Sequence, residues 1–106
     1  MYIKKLPQKP IDQLFHAILS LQSKEECAAF FDDLCTMNEL KAFVQRLEVA
    51  RLLNEGITYM DIQIETNASS TTITRVKKLL DYGSNGYHTV LERIETNVKS
   101  EKSLQT

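Results

Sequence analysis

Apolar residues recur along this chain every three or four positions, in six separate blocks. That is the period of an amphipathic helix, and no block alternates as a half-buried strand would. The first block follows Pro10, a residue suited to the first position of a helix, and runs through Ile11, Leu14, Phe15, Ile18 and Leu19. Ser23 opens the second, with Glu26 three residues on to complete a capping box, and its stripe is Cys27, Phe30, Phe31 and Leu34. Thr36 and Glu39 repeat the same opening for the third. There Leu40, Phe43, Val44, Leu47, Ala50 and Leu53 line one face, Val49 and Leu52 widen it, and Gly56 provides a left-handed stop. At about 18 residues and 1.5 Å each, this helix would be roughly 27 Å long. Its apolar surface is broader than one neighbouring helix needs, which points to a second subunit.

Three further helices follow. Thr58 caps a short fourth one, with Asp61 where a carboxylate complements the helix dipole, and Asn67-Ala68 interrupts it. Ser69 caps a fifth that runs to about Tyr82 and is ended by Gly83. After Ser84-Asn85-Gly86 comes a sixth, with Tyr87, Val90, Leu91, Ile94 and Val98 at helical spacing. The pattern predicts an all-α fold: a flexible basic arm over residues 1–9 with three lysines, a helical domain over 10–98, and a frayed polar tail over 99–106.

The fifth helix raises the functional question. "TNASSTTITRVKK", residues 66–78, has the composition of a flexible linker, yet it carries a cap, an apolar stripe and a stop signal. At about 100° per residue, Ile73, Val76 and Leu80 share one side. Ser70, Thr71, Thr74, Lys77 and Lys78 share the other, with Arg75 at its edge. Together with the short helix before it, and Asn67 at a turn that often uses Gly, the stretch over residues 58–82 reads as a helix-turn-helix. Small hydroxyls near a helix N-terminus suit phosphates and base edges, and the free N–H groups there favour anions. From Thr66 to Leu80 the charge is +3 with no acid.

Composition changes this picture little. With 106 residues, 42% hydrophobic and 25% charged, and only three Gly and two Pro, the chain fits one modest globular domain. Its net charge of -1 makes any electrostatic argument for a nucleic-acid partner a local one. Cys27 and Cys35 lack zinc spacing and read as buried free thiols of a reducing cytosol. No signal peptide or membrane span is apparent, so a cytoplasmic location is expected. His16 and His88 have no flanking ligands, and the acid pairs Glu25-Glu26 and Asp32-Asp33 read as solvated faces. No catalytic set, phosphate loop or metal spacing is present, so neither an enzyme nor a cofactor is expected.

The stretch from Asp33 to Ile94 resembles the Trp-repressor superfamily, above all its YerC/YecD group. The resemblance is carried by "ELKAFVQRLEVARLL", "EGITYMDI" and "ASSTTITRVKKLLDYGSNGY". It implies an intertwined homodimer, in which the first three helices and the last interlock between subunits. It also implies two recognition helices about one DNA turn apart on double-stranded DNA, the arrangement of Trp repressor itself. By similarity Tyr59, Ser70, Thr71, Thr72 and Thr74 would face DNA, with Ser69 at the head of the recognition helix. Lys77 and Lys78 would anchor phosphates, and Arg75 would sit between DNA and a ligand pocket. Thr36, Arg46 and Arg75 match positions that hold tryptophan in the repressor. Val76 departs from the pattern, because the repressor has Gly there to admit the indole. The branched side chain should fill that space, which argues against tryptophan as a ligand.

The resulting expectation is a sequence-specific, repressor-like transcriptional regulator. Its rival is a helical dimeric protein-interaction module with a vestigial helix-turn-helix, which the low overall charge would suit.

Overall fold

A computed structural model describes residues 2–105, with side chains over residues 2–95. Six α-helices follow a short 3-10 turn at Tyr2–Lys5: α1 (Gln8–Leu19), α2 (Lys24–Leu34), α3 (Met37–Asn54), α4 (Tyr59–Thr66), α5 (Ser70–Tyr82) and α6 (Gly86–Gln105). No strand occurs among the described residues. The all-α, six-helix architecture is therefore the one the hydrophobic period predicts.

The caps explain most of the boundaries. Ser23 Oγ accepts from the N–H of Glu26 at 3.1 Å. The Glu26 carboxylate returns the bond one residue earlier than a capping box would, to the N–H of Gln22 at 2.9 Å. Thr36 and Glu39 form the complete reciprocal box, at 3.1 and 2.9 Å. At the other end of α3, Gly56 has φ +82°. The Ile57 N–H reaches the Leu52 carbonyl and the Gly56 N–H that of Leu53, the paired bonds of a Schellman ending.

Three boundaries differ from expectation. Helix α1 begins at Gln8 and not at Pro10, so the proline lies inside the first turn. It is tolerated there because the first four N–H groups have no intrahelical acceptor. Part of the expected arm is the Tyr2–Lys5 turn. Helix α6 continues past residue 98, and the side chain of Val98 lies outside the described residues.

The chain divides into two compact units, Met1–Ala42 and Phe43–Thr106. In the first, neither α1 nor α2 has a buried residue. The two cysteines are free, as expected, but Cys27 is exposed and Cys35 only half-buried, because the α2 stripe is covered only in part, at Phe30 and Phe31. The second unit holds the core. Val49, Ala50 and Leu52 of α3 pack with Ile62 of α4, Ala68 of the turn, Ile73, Val76 and Leu80 of α5, and Leu91 of α6. Burying each large aliphatic side chain contributes about 1.5–3 kcal/mol. The expected α3 stripe is thus only partly internal: Phe43, Val44 and Leu47 are exposed.

Candidate nucleic-acid interface

Local chemistry fixes the α4–turn–α5 segment at every corner. Thr58 Oγ1 accepts from the N–H of Asp61 at 3.2 Å and starts α4. Asn67 ends it with φ 59° and ψ 17°, the left-handed conformation that Asn tolerates better than other side chains do. Ser69 then restarts the chain as α5, its Oγ accepting from the N–H of Thr72 at 3.1 Å. Thr66 and Gln45, to which the hydrophobic pattern assigns no role, complete the turn. The Thr66 hydroxyl donates to the Ile62 carbonyl at 2.7 Å and accepts from the Ala68 N–H at 3.2 Å. Gln45 of α3 donates its amide to the Thr66 carbonyl at 3.2 Å. A hydroxyl just before a left-handed Asn was the available signal for the first; the second is a tertiary contact with none.

Beneath the turn, Ile62, Ala68, Ile73, Val76 and Leu80 are buried, so one side of α5 is committed to the core. On the other, Ser69, Ser70, Thr71, Thr74, Arg75, Lys77 and Lys78 are all exposed. Thr72 is half-buried, and its hydroxyl accepts from Ser69 Oγ at 3.1 Å. Tyr59, at the start of α4, is 41% exposed. The cations are less isolated than a count ending at Leu80 suggests. Asp81 follows directly, and its carboxylate lies 3.2 Å from Lys77 Nζ, one helical turn along. That pair is exposed, so it holds Lys77 weakly.

The end of α5 is also built in. Gly83 has φ -82°, so its role is steric and not left-handed: a β-carbon there would collide with the Leu79 carbonyl. His88 of α6 closes the same end. Its Nε2 donates to the Leu80 carbonyl at 2.7 Å, satisfying an acceptor that α5 leaves open.

Helix α4 presents a different surface. Met60 and Ile64, opposite buried Ile62, are 71% and 75% exposed. Asp61 and Glu65 are its only charged residues, and both are acidic.

The expected ligand residues stand apart in role. Thr36 uses its hydroxyl as the α3 cap, and its N–H and hydroxyl hold the Glu39 carboxyl below the ordinary range. Arg46 lies over the Phe43 ring, 5.3 Å from its centre. Arg75 is exposed, while Val76 is 1% exposed and part of the core. A cavity of about 450 Å³ touches α5 at Leu79, walled also by Leu47, Asn85, Tyr87 and Val90. Neither Arg46 nor Arg75 lines it. Among the described residues no cluster of His, Cys, Asp and Glu could hold a metal ion. Nor is any described helix long and apolar enough to cross a membrane.

Comparison with known proteins places this geometry. The family model described as "Trp repressor protein" matches residues 9–95. The uncharacterized protein YerC of Bacillus subtilis strain 168 is 55% identical over 101 residues, covering 94% of this chain and 97% of its own. A crystal structure of a candidate Trp repressor from Staphylococcus aureus superposes with a TM-score of 0.86 at 47% identity, covering 90% of this chain and 95% of that one. A TrpR-like protein from Eubacterium eligens gives 0.83 at 48% identity, covering 87% and 95%.

Proposed function

Because this chain belongs to the Trp repressor family, a family of regulators and not of enzymes, we propose that it is a sequence-specific DNA-binding transcriptional regulator. It acts as a homodimer that presents two helix-turn-helix units to double-stranded DNA. One observation carries the reading: α5 buries one side completely and leaves hydroxyls and cations exposed together on the other. Packing does not require that face, and phosphate and base contacts do. Lys77 and Lys78 anchor phosphates, while Ser70, Thr71 and Thr74 read base edges directly or through water, with Ser69, Thr72 and Tyr59 beside them. Arg75 extends the cationic edge.

The dimer accounts for apolar residues that the single chain leaves open, among them Leu19, Leu34, Val44 and Ile94. Tryptophan is not its ligand. The buried Val76 side chain stands where an indole would have to approach the α5 backbone, and calorimetry with tryptophan should give no isotherm.

The deciding experiment is selection of random duplex DNA by the purified protein, with sequencing of what is retained at moderate salt. A two-fold motif with half-sites about one turn apart is the expected result. Retention that falls with salt, at a log–log slope near -0.9 per phosphate neutralised, would accompany it. Absence of retention even at low salt would replace this reading with a protein-interaction module. The apolar and acidic surface of α4 would then be the place to look for its partner.

A further inference from the structure

The outward stripe of α5 does not stop at its lysines. Residues 71, 75, 78 and 82 follow one another at intervals of four, three and four. At 100° per residue their side chains fall within about 60° of arc, centred opposite Ile73, Val76 and Leu80. Thr71, Arg75 and Lys78 are exposed. Tyr82, the last residue of the helix, is 86% exposed. An aromatic ring so fully in water is not explained by packing in this chain, and the polar stripe it continues is the one through which DNA would be met.

We propose that Tyr82 is a DNA-contacting residue that closes the recognition stripe by donating its phenol hydroxyl to a backbone phosphate; this rests on the DNA-binding reading above. Thr71 and Tyr82 are eleven residues apart, about 16 Å along the helix axis, whereas the major groove is about 12 Å wide. Recognition helices of this motif put their N-terminal residues on the base edges. With Thr71 at the bases, the far end of the helix lies at the groove wall, where the sugar-phosphate backbone runs. A hydroxyl there donates to phosphate without adding charge.

The site of the ring is held from behind. Gly83 admits the tight approach to the Leu79 carbonyl, and His88 holds the Leu80 carbonyl at 2.7 Å. The last turn of α5 is therefore fixed as a platform for its terminal side chain. Lys77, by contrast, lies on the flank of the stripe and is shared with Asp81.

An uncharged anchor differs from a cationic one in its response to salt. The test compares wild type, Tyr82→Phe and Lys78→Ala on the duplex enriched by selection and on a scrambled duplex of equal length, across a salt series. Tyr82→Phe should weaken both duplexes about tenfold, the scale of a lost hydrogen bond to a charged acceptor, with the salt slope unchanged. Lys78→Ala should weaken both and flatten the slope by about 0.9 per phosphate released. The phenylalanine variant keeps the ring, and the position is exposed, so folding is not at issue. If Tyr82→Phe binds both duplexes like wild type while Lys78→Ala does not, the inference is overturned and the DNA reading stands. A loss confined to the enriched duplex would make Tyr82 a base reader and overturn the phosphate assignment. If wild type retains no duplex at all, the functional reading fails, and the role of Tyr82 with it.

Discussion

Residues 2–42 and residues 43–95 are built from the same kind of amphipathic helix, yet only the second stretch buries anything. All nine buried residues among those described lie in it, drawn from α3, α4, α5, α6 and the α4–α5 turn. Helices α1 and α2 have stripes of equal regularity and no buried position. A hydrophobic period therefore predicts an element and the face it will commit, but not whose surface will cover that face. In the second stretch the cover comes from the same chain, and that complete core leaves the outward face of α5 free to be polar. In the first, no residue of α1 or α2 is fully buried, and the proposed homodimer would cover their faces with a second copy.

The sharpest way to break this contrast is to empty a position in each stretch. Ile73 is fully buried beneath the recognition helix, and Ile73→Ala should cost about 2–5 kcal/mol in thermal or denaturant unfolding. The loss should be independent of protein concentration only if the core acts as one chain's property. Leu19 is 80% exposed in the single chain. Left in water, its replacement by Ala should change stability by no more than about 0.5 kcal/mol. Covered by a second copy, it should cost about 1–3 kcal/mol, and the melting temperature should rise with concentration for wild type and less so for the variant. The second outcome is expected. A concentration-independent melting curve with an inert Leu19→Ala would sink the dimer.

What the sequence made legible follows the same division. Thr58, Asn67 and Ser69 act within a few residues of themselves, so their caps and the left-handed turn could be read from composition and spacing alone. The buried trio Ile73, Val76 and Leu80 was legible because a helix period is also local. Phe43, Val44 and Leu47 belong to an apolar face broader than one neighbouring helix needs, and they are exposed; a period cannot say which part of a wide face the same chain covers. The Lys77–Asp81 pair lies just past the acid-free run: that stretch ends at Leu80, one residue short of the acid that completes an i,i+4 pair. The bond from Gln45 to Thr66 joins residues 21 apart, and no local pattern announces it.

That pair gives a smaller test, on the face the complete core leaves spare. Asp81→Asn should release Lys77 and remove a negative charge beside the proposed interface. Exposed pairs are worth about 0–1 kcal/mol, so the gain in affinity for duplex DNA should be at most about fivefold, with a steeper salt slope. Lys77→Ala should act in the opposite sense and about equally on all sequences. Replacing Thr71 by a bulky residue should instead penalise the enriched site most. An Asp81→Asn variant that binds more weakly would mean that the pair orients Lys77 and does not restrain it.

The smallest effect belongs to the first stretch, where caps stand in for packing. Glu39 accepts from the Thr36 N–H at 2.9 Å, and this bond, with the Thr36 hydroxyl, lowers its pKa below the ordinary value of 4.5. A carboxyl whose folded pKa is depressed stabilises the fold above its unfolded value, and that contribution is lost as pH falls through the folded one. Glu39→Gln keeps a side chain that can still accept the bond, but it loses the charge that favours a helix N-terminus. Wild type should therefore melt slightly higher than Glu39→Gln at neutral pH, and the two curves should converge as pH drops below the ordinary glutamate range. Circular dichroism melts across that range read the difference directly, and the shared titration of other carboxylates cancels in it. A gap that persists in acid would mean that Glu39 acts through packing and not through its charge, and the first stretch would then owe less to its caps than the contrast with the second requires.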